Sequence, residues 1–251
     1  MAGRHGTITK IAASVALLLA IGWGFYLAFD AGLIRFNTPS SDRFPVQGID
    51  VSHHQGEIDW PKVARSGYAG FAYIKATEGG DFKDARFQKN WKESRQAGIA
   101  TGAYHFFTFC RPGKDQARNF LETVPGDPAN LPFAVDLEFG GNCDAIPSVA
   151  NLAAELRDFV TEVQSVHHQK PVFYVTGEFY RHYMEGNPGM FPSHHLWLRN
   201  IFHEPSQKRC EKWQFWQFSH RGRIGGIEGP VDLNVFCAVR KGISQLVKAG
   251  L

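Results

Sequence analysis

The sequence predicts an α/β chain in which a parallel sheet of eight strands closes into a barrel, preceded by one transmembrane helix. Three observations predict it. Strand-like and helical runs alternate five times between residues 46 and 185, the pattern of a parallel sheet with right-handed crossovers. Three more strand-like runs, 195–199, 212–219 and 230–236, follow with little helix between them, so the count reaches eight and the last connections are short or irregular. Ahead of the barrel, the 19 residues from Ile11 to Phe29 carry no charged side chain, close to the length of about 20 that a helix needs to cross a bilayer.

Arg4 and Lys10 precede the apolar stretch and Asp30 follows it, which leaves the basic end in the cytoplasm and carries the rest of the chain across. Small-x-small spacing before a cleavage point is poor, because Tyr26 precedes Ala28 and Phe29 precedes Ala31 at the position that matters. An uncleaved signal anchor is therefore expected, with secretion after cleavage as the alternative. The organisation expected is a cytoplasmic N-terminus (1–10), an anchor (11–29), a linker (30–44), a folded barrel (45–240) and a tail (241–251). The linker ends in Thr38, Pro39, Ser40, Ser41, Asp42 and Arg43, a polar, turn-rich composition.

Within the barrel, 46–52 alternates, with Ile49 and Val51 on one face and Gly48, Asp50 and Ser52 on the other. Asp59, Trp60 and Pro61 give an N-cap with proline close behind, opening a short helix to about Ser66. The apolar run 70–77 reads as a buried strand. Residues 84–97 place Ala85, Phe87, Trp91 and Ala97 at helical spacing and stop at Gly98. A third strand spans 100–107, and a third helix, 114–124, gathers Ala117, Phe120, Leu121 and Val124 on one side. The fourth strand lies in 131–139. There Phe133, Val135, Leu137 and Phe139 fall on one face and Ala134, Asp136 and Glu138 on the other. The longest amphipathic run, 148–167, carries Leu152, Leu156, Phe159, Val160 and Val163 at helical intervals. A fifth strand (171–176) and a short fifth helix (178–185) complete the alternation.

The composition, 43% apolar and 14% aromatic, is that of a globular chain. Lys and Arg number 27 against 24 acids, and without residues 1–29, which hold only Arg4 and Lys10, the balance is 25 against 24. No basic field of the kind that drives nucleic-acid binding exists. Four cysteines, Cys110, Cys143, Cys210 and Cys237, lie in the exported part without a C-x-x-C pair, which suits disulfides better than a metal site. Of three pairings, Cys110 with Cys143 and Cys210 with Cys237 are expected, because each would join the ends of neighbouring strands. The pairs His53-His54, His167-His168 and His194-His195 lack metal-ligand spacing, and no Gly-x-Ser-x-Gly is present. No cofactor or metal is expected.

Enzymes on such barrels place their working residues where strands end and loops begin. Asp50 marks the first strand, Asp136 with Glu138 the fourth and Asp232 the last. First and last strands of a closed barrel are neighbours, so four carboxylates could converge on one mouth. A pair such as Asp136 and Glu138 on an otherwise buried strand is costly, since each disfavours ionisation of the other, and chemistry that needs one protonated and one ionised acid is a reason to accept that cost.

These residues sit in blocks with a family resemblance. Gly48-Ile49-Asp50-Val51-Ser52 with Gln55-Gly56 and Ile58-Asp59-Trp60, Ile74-Lys75-Ala76-Thr77-Glu78-Gly79, Gly102-Ala103-Tyr104-His105-Phe106, Asp136-Leu137-Glu138, Trp216-Gln217-Phe218 and Gly229-Pro230-Val231-Asp232-Leu233-Asn234 resemble, in order, the signature blocks of glycoside hydrolase family 25, the Chalaropsis-type lysozymes. They cover about residues 46–237. The resemblance implies a flattened TIM-like (β/α)5(β)3 barrel with five main helices. It also implies hydrolysis of the β-1,4 bond between N-acetylmuramic acid and N-acetylglucosamine in peptidoglycan. Glu138 matches the family's general acid/base, and Asp136, Asp50 and Asp232 match its other site acids.

Cleavage through an oxocarbenium-like state needs one carboxylic acid to protonate the leaving oxygen. Glu138 can stay protonated if Asp136 is ionised beside it. Attack at the anomeric carbon has two routes, a carboxylate or the substrate's own acetamido group, and a D-x-E pair suits the second. Tyr104, Tyr174, Gln217 and Trp197 are the expected sugar contacts, Trp213 and Trp216 are groups of the same sugar-binding kind, and packing alone is the alternative for the aromatics. Glu78 is expected at the rim or in a structural role. The partners expected are peptidoglycan glycan strands and the membrane, with the barrel on the periplasmic or extracellular side of a bacterial cytoplasmic membrane. A chitinase-like N-acetylhexosaminidase and a catalytically silent wall-binding protein are the alternatives.

Overall fold

The computed structural model describes residues 2–126, 131–187, 189–190, 195–205 and 213–237. Two compact units divide the chain, Met1–Phe36 and Asn37–Leu251. The first is built on α1 (Ala2–Asp30), whose stretch Lys10–Asp30 has a mean hydropathy of 2.0 and is long and apolar enough to cross a bilayer.

The second unit is the barrel. Its strands are β1 (Val46–Val51), β2 (Phe71–Glu78), β3 (Phe82–Lys83), β4 (Ala100–Phe106), β5 (Ala134–Leu137), β6 (Val172–Thr176), β7 (His195–Arg199), β8 (Phe215–Gly222) and β9 (Val231–Phe236). Hydrogen bonds run in the order β1-β9-β8-β7-β6-β5-β4-β2, and β1 also pairs with β2, which closes a ring of eight. β3 hangs antiparallel on β2 outside that ring; two residues are too few to leave a periodic signal. The helices α2 (Trp60–Arg65), α3 (Phe87–Gln96), α4 (Gly113–Thr123) and α5 (Val149–His167) fall where the periodicity puts them, and α6 (Gly177–Phe179) continues as a π-turn over Tyr180–Met184. α2 and α5 start on side-chain caps: Asp59 accepts from the Lys62 N–H and Ser148 from the Asn151 N–H.

One departure from the expected parallel sheet matters for function. β9 is antiparallel to both β1 and β8, because the connection after β8 holds no helix to carry the chain back to the far end. Asp232 therefore lies at the start of its strand, and it reaches the same end of the barrel as Asp50, its register partner, only because β9 is reversed.

Both faces of the parallel strands are buried, in two separate cores. Outside the ring, Ile49, Ile74, Val135, Leu137 and Val175 pack with Phe120, Leu156 and Phe159 of the helices. Inside it, Phe71, Tyr73, Trp197, Phe215 and Phe236 fill one end of the barrel. Large side chains there are matched by glycines opposite. Gly48 pairs with Phe71 and Gly102 with Tyr73, and a Cβ on either glycine would come within 2.5 Å of the facing ring. Alanine at Gly48 or Gly102 would push an aromatic ring out of this plug.

The expected linker is only partly a spacer. Phe44 is 1% exposed and stacks on Trp213, while Asn37 donates to the Ile201 carbonyl at 2.8 Å and Arg43 pairs with Glu204 at 2.9 Å. Trp213 and Trp216 belong to this outer core. The disulfide Cys110–Cys143 joins the segments after β4 and β5, with Cα atoms 6.1 Å apart. Cys210, His194 and the expected tail lie outside the described residues, so the pairing of Cys210 with Cys237 does too.

Candidate active site

Along each parallel strand the inward side chains step from the aromatic plug to a polar mouth, two residues at a time: Gly48 to Asp50, Ala134 to Asp136, Val172 to Tyr174, Trp197 to Arg199 and Phe215 to Gln217. On reversed β9 the order is Phe236, Asn234, Asp232. The plug keeps water from below, and above it opens a cavity of about 790 Å³. All eight residues expected at the site line it: Asp50, Asp136, Glu138, Asp232, Tyr104, Tyr174, Trp197 and Gln217.

Asp50 is the most constrained of the acids. Its Oδ2 accepts from Gln217 Nε2 at 3.0 Å and from Asn234 Nδ2 at 2.6 Å. The Tyr174 hydroxyl donates to Gln217 Oε1 at 3.0 Å and Trp197 Nε1 donates to Asn234 Oδ1 at 2.8 Å, so two buried amides are turned with their N–H groups toward Asp50. Burial raises the Asp50 pKa while these bonds oppose the rise. Burial, then the charge of Asp50 and a hydrogen bond to it, pushes Asp232 well above the usual carboxylate range. Of the two, Asp232 is raised further, because the amide donors of Asp50 favour its ionised form.

The other acids have no such support. Asp136 is half-buried as a residue, yet its Oδ1 is cut off from solvent with no hydrogen-bond partner. Burial, followed by the nearby Glu138, holds its pKa well above the ordinary value. Glu138 is also raised, chiefly by burial, with Arg199 pulling it down and Asp50 pushing it up. Both acids are lifted, and Asp136 further, because it lies deeper. What fixes this wall is backbone. Asn142 Nδ2 donates to the carbonyls of Glu138 at 3.0 Å and Phe107 at 2.9 Å, and its Oδ1 accepts from the N–H groups of Phe109 and Cys143, each at 2.9 Å.

The protein matches the family described as Glycosyl hydrolases family 25 over residues 49–227, most of the chain and nearly all of the barrel. The chain belongs to glycosyl hydrolases family 25. A relative, YegX of Escherichia coli K12, is 36% identical over 197 residues, covering 77% of this chain and 70% of its own. Lysozyme M1 of Streptomyces globisporus is 36% identical over 208 residues, covering 78% and 69%. Among solved structures, a family 25 glycosyl hydrolase from Bacillus anthracis superposes with a TM-score of 0.75 at 32% identity, covering 87% of this chain and 98% of its own. The chain is a glycoside hydrolase with the TIM-like fold of family 25.

The family 25 barrel gives the remaining candidates different surroundings. Tyr174, Trp197 and Gln217 spend polar atoms on holding Asp50, whereas no hydrogen bond ties down the Tyr104 hydroxyl among the described residues. Glu78 sits outside the cavity and pairs with Lys75 at 2.7 Å. His53 Nδ1 lies 2.7 Å from buried Asp84. His105 is buried between Thr77 Oγ1 at 2.7 Å and Gln116 Oε1 at 3.0 Å, and burial lowers its pKa to about 3. No group of three or more possible metal ligands occurs among the described residues. Sequence reasoning missed Asn142, which carries no local signal, and the cavity-lining Arg181 and Arg199. Arg199 could have been found, because it is the next inward position after Trp197.

Proposed function

We propose that this glycoside hydrolase is a peptidoglycan muramidase that cleaves the β-1,4 bond after N-acetylmuramic acid with retention and with help from the substrate. The Asp136 carboxyl, lining the cavity beside Glu138 with no protein partner for its buried oxygen, carries the reading. Among the described residues no group donates to the Asp136 carboxyl, so its ionised form depends on a donor from the ligand, taken where the carboxyl lines the cavity, and the N–H of a 2-acetamido group supplies it. That bond favours ionised Asp136, aims the acetamide oxygen at the anomeric carbon and leaves the proton on Glu138. Glu138 then protonates the glycosidic oxygen as the acetamide closes on C1. It next takes a proton from the water that opens the resulting ring. Asp50, charged within its network, and Asp232 face the ring, and Tyr104 offers a free hydroxyl.

The names of Lysozyme M1 and of a bacterial lysozyme from Streptomyces coelicolor, which superposes with a TM-score of 0.70 at 33% identity, support peptidoglycan as the substrate. The apolar stretch Lys10–Asp30 supports attachment to the cytoplasmic membrane, with the barrel of residues 45–240 on its outer side. The test is product analysis. Digestion of purified peptidoglycan should give fragments with new reducing N-acetylmuramic ends by mass spectrometry, and chitin should give few or none. Faster cleavage of chitin than of peptidoglycan would make it an N-acetylhexosaminidase of the chitinase kind instead.

A further inference from the structure

Two guanidiniums stand in the cavity without a partner. Arg199 ends β7 opposite Thr176 of β6. Arg181 rises from the π-turn, its Nη1 only 3.4 Å from where a Cβ on Gly177, the next residue after Thr176, would lie. Both line the cavity, so the two cations share one wall, at the mouth ends of β6 and β7. Among the described residues neither forms a hydrogen bond or ion pair with a protein group, and Glu178, an acid on the same wall, pairs with neither. Lys75, a third cation, whose charge reaches both Asp136 and Glu138, is treated differently. Its Nζ is 2.7 Å from Glu78 Oε2 and 4.9 Å from the centre of the Phe106 ring.

Arg199, left without a counter-ion, works against the chemistry. Its charge pulls Glu138 toward ionisation, the wrong direction for a general acid. An anionic ligand group would remove that conflict by pairing with the guanidinium. A muramyl residue differs from the glucosamine beside it by a lactyl ether that ends in a carboxyl group, either free or extended by a stem peptide bearing its own carboxylates. Building on the muramidase reading, we propose that Arg199 and Arg181 form a carboxylate-binding subsite, next to Asp136 and Glu138, that recognises the acidic substituent of the muramyl residue. Each guanidinium presents a planar fork of N–H donors that matches a carboxylate. Two forks on one wall can take the group from both sides.

The experiment uses the full-length protein in detergent and compares kcat/KM, from reducing-end release, on paired substrates. One pair is peptide-free glycan strands with free lactyl carboxylates and the same strands methyl-esterified. The other is strands with intact stem peptides and the same strands with their peptide carboxylates amidated. The parent should prefer the charged member of at least one pair by roughly tenfold, the factor that one charge-assisted contact of about 1.4 kcal/mol provides, and the pair that discriminates identifies the source of the carboxylate. Arg181→Gln with Arg199→Gln should bring that ratio close to one. A purely structural role would lower both members of a pair together and leave the ratio intact, which overturns the subsite. Arg181→Gln alone, at an exposed side chain, should narrow the ratio part of the way and covers the case in which the double variant does not fold. Cleavage by the parent with no charge preference in either pair overturns the subsite alone. Failure to cleave any strand overturns the muramidase reading and the subsite with it.

Discussion

The two acidic walls of the cavity are built on opposite terms. On the wall of β1, β8 and β9, Asp50 receives two amide N–H bonds, burial and Asp50 push the pKa of its neighbour Asp232 up, and Tyr174 and Trp197 hold the amides in place. On the wall of β5, Asp136 has a buried oxygen with no donor, and only the backbone around Glu138 is clamped, through Asn142 and the neighbouring disulfide. A satisfied charge is a fixed part of the field that the substrate meets. An unsatisfied one is a place left for the substrate. The comparison separates residues whose loss should harm the fold from residues whose loss should harm only the reaction.

The largest effect is expected at Glu138. Glu138→Gln should lower kcat on soluble glycan strands about 10³-fold, within the range that a positioned general acid contributes, and should leave the thermal midpoint and peptidoglycan binding nearly unchanged. Turnover close to the parent's would move the acid elsewhere. Asp136→Asn follows, at roughly 10²-fold, since the amide cannot carry the charge that orients and stabilises the attacking acetamide. Its stability should equal or exceed the parent's, because a buried acid without a partner is replaced by a neutral group. A glycosyl-enzyme adduct trapped in either variant and seen by intact-protein mass spectrometry would replace the acetamide by a carboxylate nucleophile.

On the opposite wall the ranking should invert. Asp50→Ala leaves Asn234 Nδ2 and Gln217 Nε2 pointing into a void, and two stranded donors should cost about 2–3 kcal/mol in urea unfolding. If Asp50→Ala and Asp136→Asn prove equally stable, the contrast between the walls does not govern the fold.

The strands that carry the two walls, and the places of their acids, are legible in the chain itself. Period-two alternation separates Ile49 and Val51 from Asp50, and Val135 and Leu137 from Asp136, because both cores are apolar and each acid interrupts the inner one. Helical spacing finds α3 to α5 for the same reason. The direction of β9 is another matter. Alternation is the same read forwards or backwards, so Val231-Asp232-Leu233-Asn234 announces a strand without saying which end faces the mouth. The network around Asp50 was hidden for a related reason: Gln217 and Asn234 lie 167 and 184 residues away from it, and only closure of the ring brings them together. The missing partner of Asp136 could not be read at all, since it is defined by what surrounds the residue and not by the residue.

The smallest effect is on pH dependence, and it asks whether the fixed wall is felt by the reactive one. Glu138 is required protonated, so kcat falls as pH rises through its pKa, and Asp50 is one of the charges that keep that pKa up. Removing Asp50 alone should move the basic limb little. The Asp232 pKa is raised chiefly by burial and then by Asp50, so in Asp50→Asn it loses a neighbouring charge and can ionise in its place, leaving the pair with one charge. Asp232→Asn likewise leaves the charge on Asp50. Only the double variant Asp50→Asn with Asp232→Asn empties the wall of charge. It should lower the Glu138 pKa and shift the basic limb of the kcat profile to lower pH, by up to about one unit, or 1.36 kcal/mol of interaction. A limb that stays in place in the double variant would mean that the two walls are electrostatically independent. A limb that moves fully in either single variant would mean that neither acid takes up the charge the other loses.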